Sequence, residues 1–205
     1  MTALYIMVSF AAGGFFVLFS PWTKGAIAFW PMMSALTALL AAVSLVLDRK
    51  RLDRIYRFDR HAVVLGLLSA AFLYAVFFVG HFLSTRILPF AAGQIGSIYG
   101  VKGSTNPMLI ALLLLLVIGP AEEIFWRGFV MRRLCSTYGA VYGWLFATAV
   151  YALVHLWSFN FMLIAAAAVC GAFWGLVFLF SGRMWVCIIS HAVWDVVILL
   201  LLPIR

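Results

Sequence analysis

The chain has 205 residues, of which 67% are hydrophobic and 10% charged, and its formal net charge is +8. This composition excludes an ordinary soluble domain and indicates an integral membrane protein that crosses the bilayer several times. The basic residues lie mainly in short loops, where they determine membrane topology. The positive charge therefore does not indicate a nucleic-acid-binding protein.

Apolar runs long enough to cross about 30 Å of hydrocarbon predict an all-α, polytopic transmembrane bundle of about seven to eight helices. The predicted spans are 3–20, 26–47, 62–83, 107–132, 140–157, 161–180 and 184–202. The first run lacks the basic segment of a signal peptide, so we expect it to remain as a transmembrane helix. No internal repeat divides the chain, and residues 1–205 are predicted to form a single integral-membrane domain.

The loops differ in charge, and this difference predicts the topology. Segment 48–60 carries six basic residues, and Arg132, Arg133 and Arg183 lie in two further turns on the same side. By the positive-inside rule these segments mark the cytoplasmic face, which places the N-terminus inside and the C-terminus outside. The glycine-rich stretch 84–106 then lies on the opposite side, with its middle part in the membrane interface. If the first span only lies in the interface, the N-terminus moves to the other side.

Three of the six acidic residues, Glu122, Glu123 and Asp195, lie inside predicted spans. A charged side chain near the bilayer centre costs at least about 2.5–3.5 kcal/mol, so such residues usually pair or take part in function. In a helix Glu123 and Arg127 are four residues apart, with the acid on the N-terminal side, which favours an ion pair. Glu122 is turned about 100° away from Glu123 and can face another partner. We therefore interpret Glu123 and Arg127 as a structural pair and Glu122 as free for chemistry.

Histidines occur in the neighbouring spans. His155 ends the fifth span, and His191 shares one face of the seventh helix with Asp195. Glu122 and His155 are equally far from the turn between the fourth and fifth helices, which places them at the same depth. His191 lies about 13 Å below the interface, at a similar depth. These spacings predict a cluster of the four residues, whereas His81 has no evident partner and is interpreted as a core group.

The motifs that carry these residues resemble those of a known family. They are Glu122-Glu123-x-x-x-Arg127-Gly128, Tyr151-x-x-x-His155 and His191-x-x-x-Asp195. In type and order they are similar to the three motifs of the CPBP family, the CAAX-protease and bacteriocin-processing (Abi) proteins. These are glutamate-dependent intramembrane endopeptidases, among them the type 2 CAAX prenyl endopeptidases. The resemblance covers about 119–195. Tyr151 stands where the family usually has Phe, which we expect to matter little, and Asp195 stands where its best-known members have Asn.

The resemblance implies a role for each residue of the cluster. Glu122 is the general base that, with His155, polarises a water molecule for attack on the scissile carbonyl. His191 and residue 195 donate hydrogen bonds to the developing oxyanion. An ionised Asp195 cannot donate, so it is either protonated in its apolar site or orients His191. No metal or other cofactor is implied.

The same reasoning predicts where the protein acts and on what. We expect a prokaryotic inner-membrane protein, surrounded by lipid, whose substrate is a membrane-associated protein or peptide and which binds no nucleic acid. Hydrolysis in a bilayer needs a polar cavity connected to water. The cluster is predicted to lie in the cytoplasmic half, in a cavity that is reached from the basic side. The sequence leaves the oligomeric state and the cleavage sequence open.

Three other interpretations stay open. A zinc site of His155, His191 and a carboxylate would suit tetrahedral ligation, although no His-Glu-x-x-His motif is present. A non-catalytic scaffold or transporter would keep the motifs as a polar core, and only Gly119-Pro120 hints at the broken helices of transporters. A membrane cytochrome would need two histidines level on facing helices, but the acids beside these histidines argue against it.

Overall fold

The computed structural model describes residues 1–23 and 25–204, with Arg54 described by its backbone alone. The described chain is an all-α bundle of eight helices, as predicted. They are α1 (Thr2–Phe19), α2 (Phe29–Leu47), α3 (His61–Ile87), α4 (Ala91–Tyr99), α5 (Pro107–Tyr138), α6 (Ala140–Leu153), α7 (Phe161–Ser181) and α8 (Met184–Leu201).

Seven of these helices, all except the short α4, are long and apolar enough to cross a membrane. The predicted number of spans is confirmed for the described residues. The observed boundaries differ most in α5, which continues to Tyr138 and not to residue 132. With 32 residues, α5 is about 48 Å long as an ideal helix, so it extends beyond the hydrocarbon layer. An apolar run marks the hydrocarbon layer and not the end of a helix, which explains the difference.

The α5 helix is irregular around its acidic residues. Two π-helical segments, Leu114–Ile118 and Ile124–Met131, flank the α-helical turn Gly119–Glu123. Pro120 has no backbone N–H and cannot form the regular hydrogen bond to the preceding turn. Wider π turns of this kind often occur at functional sites. The helix is therefore continuous through Gly119-Pro120 but not regular there.

Close packing brings α8 against the middle of α5. A Cβ atom added at Gly119 would lie 2.9 Å from the Cα of Ala192, so only glycine permits this approach. The following part of α5 is packed into the apolar core, where Phe125, Phe129 and Val130 have at most 1% of their surface exposed. These contacts fix the position of the acidic residues relative to α8.

The basic segments meet at one end of the bundle, which we call the basic end. Asp48 accepts hydrogen bonds from Arg133, with Oδ1 2.9 Å from Nη2, and lies 3.4 Å from Arg132. Asp59 lies 3.3 Å from Arg183. The amide and the ring of His61 also hydrogen-bond to Asp59 and hold the pKa of that carboxyl below its usual value.

The N-terminus lies at the same end, where the hydroxyl of Thr137 is 3.6 Å from the sulfur of Met1. The opposite end, which we call the far end, carries residues 20–23 and 25–28, the connection 88–106, the turn 156–160 and residues 202–204. The short helix α4 lies there. Its Gln94 side chain accepts a hydrogen bond from the amide of Met162, and its backbone accepts one from Asn160. The far end is thus covered by a helix that is tied to the start of α7.

Candidate active site

The buried ion pair of Glu123 and Arg127 forms the centre of a polar chain between α5 and α8. Nη1 of Arg127 donates to Oε1 of Glu123 at 2.8 Å, and neither side chain is more than 3% exposed. Nη2 of Arg127 donates to the carbonyl oxygens of Cys170 and Gly171 on α7. The pair therefore forms as the spacing predicts, and it also ties α5 to α7.

His191 extends this chain. Its Nδ1 lies 2.7 Å from Oε1 of Glu123, the oxygen that also accepts from Arg127, and its Nε2 lies 3.4 Å from Oδ2 of Asp195. The imidazole also stacks on Trp174, with ring centroids 3.8 Å apart and an angle of 19° between the planes. Glu123, Asp195 and Trp174 thus restrict the orientation of His191 from three directions. Trp174 is not among the site residues predicted from the sequence, and no motif points to it.

Glu122 faces away from this chain, as its helical position predicts. Its Oε2 accepts a hydrogen bond of 3.0 Å from the hydroxyl of Tyr151 on α6. Glu122 is itself buried, with 5% of its surface exposed. The two adjacent glutamates therefore have different partners, Tyr151 for one and Arg127 with His191 for the other.

The described contacts of His155 are with residues other than Glu122. Its Nδ1 lies 2.9 Å from the carbonyl oxygen of Tyr151, and because a carbonyl can only accept, Nδ1 carries the proton. In the neutral ring the lone pair is then on Nε2. The ring packs edge-on against Phe15, 5.0 Å between centroids, and lies beside Phe19. In the described structure no hydrogen bond joins His155 to Glu122, and Tyr151, one turn earlier, contacts the carboxyl instead.

Tyr151, and not His155, is therefore the hydrogen-bond partner of the Glu122 carboxyl among the described residues. Counting residues from a turn predicts equal depths only for regular helices, and α5 is π-helical at Ile124–Met131.

A large cavity reaches the cluster. Its volume is about 1060 Å³, and Glu122, Tyr151, His191 and Asp195 lie in its wall. The rest of the wall is mainly aliphatic and aromatic, with side chains from every one of the eight helices, and His81 belongs to it. The interpretation of His81 as a core group without function therefore needs revision, because it borders the same space as the cluster. His155 is not among the described residues of the wall.

The cavity extends mainly towards the far end. Its lining residues lie mainly in the half of each helix that points to the far end, such as Val17–Phe19 of α1 and Phe161–Leu163 of α7. Towards the basic end, the buried residues 125–131 of α5 lie behind the cluster. The described wall of the cavity does not support the expected access from the basic side. The loop charges predict which end is cytoplasmic, but whether that end is open depends on how its side chains pack.

A metal site needs several His, Cys, Asp or Glu side chains close together. Among them, no three His, Cys, Asp or Glu side chains come together in a way that could hold a metal ion. His155 in particular is engaged through Nδ1 with a backbone carbonyl and packs in an aromatic pocket. The donor set does not favour the zinc interpretation, and the absence of a catalytic metal stays a prediction.

The fold and the site together define a polytopic helical membrane protein with an acid–histidine cluster at the inner end of an intramembrane cavity. Residues 104–197 match the family model of the type II CAAX prenyl endopeptidases, described as Rce1-like, and all three motifs lie inside this segment. The resemblance to the CAAX-protease family is thereby confirmed over this segment, which is somewhat less than half of the chain. No curated protein and no solved structure matches the chain.

Proposed function

We propose that this protein is an endopeptidase that hydrolyses a peptide bond of a membrane-associated protein or peptide with a water molecule activated by Glu122. The observation that carries the proposal is the position of this carboxyl. It lies in the wall of a cavity large enough for a peptide. Its neighbour Glu123, and not Glu122 itself, forms the ion pair with Arg127. A carboxylate with one oxygen held by Tyr151 keeps lone pairs free to accept a proton.

The first step is addition of water to the scissile carbonyl. Glu122 accepts one proton of the water, and the water oxygen forms a bond to the carbonyl carbon while the carbonyl oxygen becomes an oxyanion. The proton held by Glu122 then passes to the amide nitrogen as the C–N bond breaks, which yields a carboxyl group and an amine. The Tyr151 hydroxyl orients the Glu122 carboxyl during both transfers.

His191 is the proposed donor to the oxyanion. Glu123 is ion-paired with Arg127, so its oxygen accepts the proton of Nδ1 and holds the ring in place. The flanking carboxyls of Glu123 and Asp195 favour the imidazolium form of His191, in which Nε2 also carries a proton. This Nε2–H group lies beside Asp195 and can donate to an oxyanion. In this arrangement Asp195 orients His191, which is the second of the two roles considered for it.

His155 is proposed to act on Glu122 indirectly, through Tyr151. Its Nδ1–H holds the backbone carbonyl of Tyr151, the residue that contacts Glu122. The proposal keeps His155 as a residue that the reaction needs, through its unprotonated Nε2 or through the position of Tyr151. No cofactor takes part in the proposed reaction, and we propose the inner membrane of a prokaryote as its location.

The test is proteolysis by the purified protein in lipid nanodiscs. A library of synthetic apolar peptides is incubated in water enriched in ¹⁸O, and mass spectrometry detects new termini that carry one heavy oxygen. Asp53→Asn changes an exposed carboxyl on the basic loop and is the matched control. We expect cleavage by the wild type and by this control, and none by Glu122→Gln. Cleavage that persists in folded Glu122→Gln protein would contradict the proposal.

A further inference from the structure

The cavity has an inner end and an outer end that differ in chemistry. At the inner end are the ionisable residues of the cluster, with Glu122 about halfway along α5. Outwards, the wall is apolar through residues such as Trp30, Phe77 and Leu114. Near the far end it becomes polar again, with Ser97, Ser158 and Asn160 in the lining. The cavity therefore has a polar rim, apolar walls and ionisable residues at its inner end. This arrangement suits the passage of an apolar chain.

Towards the other end of the bundle, the structure behind the cluster is closely packed. Behind the cluster, towards the basic end, Trp126, Phe129 and Met131 of α5 are at most 2% exposed. The hydroxyl of Tyr56 lies so close to Gly128 that an added Cβ would be 2.6 Å from it. The indole of Trp185 donates to the carbonyl of Tyr56 at 2.7 Å and fixes the loop against α8. Packing and hydrogen bonds therefore close this end.

From these two observations we infer that the substrate reaches Glu122 from the far end, which the positive-inside rule makes the extracytoplasmic face. This inference rests on the proposed function and adds the side of entry and the kind of substrate. The substrate is an apolar peptide segment of an exported or membrane-inserted protein, presented at the outer side of the membrane.

The size and the surroundings of the cavity favour such an occupant. Its volume of about 1060 Å³ slightly exceeds the roughly 300–1,000 Å³ of small-molecule sites, so it has room for several residues of an apolar segment. An extended peptide in a bilayer needs partners for its backbone, and protein walls shield it from lipid. At the entrance, α4 is held over the rim by Asn160, whose Nδ2 donates to the carbonyl of Gln94 and to the hydroxyl of Ser97. The substrate therefore passes beside or beneath α4.

Cysteine labelling tests the side of entry without any need for activity. In a Cys135→Ser background, Ala166→Cys places a thiol in the cavity wall, because Ala166 is a lining residue of α7. Ser136→Cys places one at the exposed basic end. Ala167→Cys is the matched control, since Ala167 is buried and not among the described lining residues. The reagent is a sulfonated maleimide that cannot cross the membrane, applied to right-side-out and inside-out vesicles.

We expect Ala166→Cys to react in right-side-out vesicles and to lose this reaction in inside-out ones. Ser136→Cys should show the reverse, and Ala167→Cys should react in neither. An uncharged peptide of alternating leucine and alanine should slow the labelling of Ala166→Cys. Labelling of Ala166→Cys from the basic side, from both sides or from neither would overturn the inferred entry, and labelling that the peptide does not slow would overturn the inferred occupant.

The result is separable from the test of the proposed function. The same labelling pattern is expected in a Glu122→Gln background, because access depends on the cavity and not on catalysis. If folded Glu122→Gln protein still cleaves peptides while labelling occurs from outside, the proposed function fails and the entrance stands. If labelling occurs only from the basic side while Glu122→Gln abolishes cleavage, the inferred entrance fails and the proposed function stands.

Discussion

The hydroxyl of Tyr151 donates a hydrogen bond of 3.0 Å to Oε2 of Glu122, and the backbone carbonyl of the same tyrosine accepts one from His155. One residue thus links the proposed base to the histidine one turn away. The ring of Tyr151 packs against Trp126 and lies under the guanidinium of Arg127, 4.9 Å from its centroid. A tyrosine at this position therefore contacts both the reactive and the structural part of the site.

Replacement of Tyr151 by phenylalanine tests its hydroxyl separately from its ring. Because a hydrogen bond to a charged group contributes about 1.5–3 kcal/mol, we expect kcat to fall by roughly tenfold to a hundredfold with KM nearly unchanged. The ionised carboxylate also loses a donor, so the acidic limb of the pH–rate profile should move to higher pH. Steady-state kinetics across pH check both effects.

The matched control for this variant is Tyr142→Phe, which removes the hydroxyl of an exposed tyrosine on the same helix. It should leave the rate and the pH profile unchanged. If Tyr151→Phe has the wild-type profile, the hydroxyl does not position Glu122, and the expectation that Tyr in place of Phe matters little would be correct.

The ion pair of Glu123 and Arg127 is predicted to contribute mainly to stability. Removal of one partner leaves the other charge buried, so Glu123→Gln and Arg127→Met should each lower the free energy of unfolding by about 3–5 kcal/mol. The double variant should lose less than the sum of the two single changes, because it leaves no unpaired charge. Unfolding of the purified protein in detergent measures these differences.

The half-exposed pair of Asp59 and Arg183 provides the comparison. Surface ion pairs contribute about 0–1 kcal/mol, so Asp59→Asn should change the stability little. A Glu123→Gln protein as stable as Asp59→Asn would show that the buried pair is not required for the fold.

Gly119 is predicted to be required for the close approach of α5 and α8. Gly119→Ala adds a Cβ that would lie 2.9 Å from the Cα of Ala192, so backbone must move, at a cost of about 1–3 kcal/mol. Because this shift separates Glu123 from His191, cleavage should also decrease. Thermal unfolding and peptide cleavage measure the two effects.

A second glycine in a helix serves as the control. A Cβ at Gly13 of α1 meets no atom within 4 Å, and alanine is the better helix former. Gly13→Ala should therefore keep or raise stability and leave cleavage unchanged. Equal behaviour of the two variants would mean that α5 and α8 can separate without consequence.

Activity is predicted to survive removal of metal ions. Protein treated with a chelator and passed through a desalting column should cleave peptides at the untreated rate, and metal analysis should find far less than one equivalent of zinc. The physical reason is that the proposed base and oxyanion donor are protein side chains. Loss of activity that zinc alone restores would favour the zinc interpretation.

The sequence by itself determined the parts of the structure that depend on local spacing and composition. Hydrophobic runs are long enough to predict each span, because the bilayer thickness fixes the number of residues that a helix needs. The period of the helix likewise predicts that Glu123 pairs with Arg127 while Glu122 faces elsewhere. These relationships lie within one helix, so no knowledge of packing is required.

The partners of the site residues on other helices depended on the tertiary structure. Tyr151 of α6, and not His155, hydrogen-bonds to Glu122, and α5 is π-helical directly after this residue. Trp174 stacks on His191 because α7 and α8 pack closely, which no spacing along the chain expresses. Counting residues from a turn predicts their depth only if the helices are regular and parallel, and α5 is irregular at the site.

The direction of the cavity was likewise decided by packing. Charge in the loops predicted one end as cytoplasmic, and the basic segments do share one end of the bundle. Whether that end is open depends on the side chains that fill it, and Phe125–Met131 with the loop around Tyr56 close it. Empty space is the volume that all the side chains together leave unfilled, so it follows from the three-dimensional arrangement and not from any local pattern.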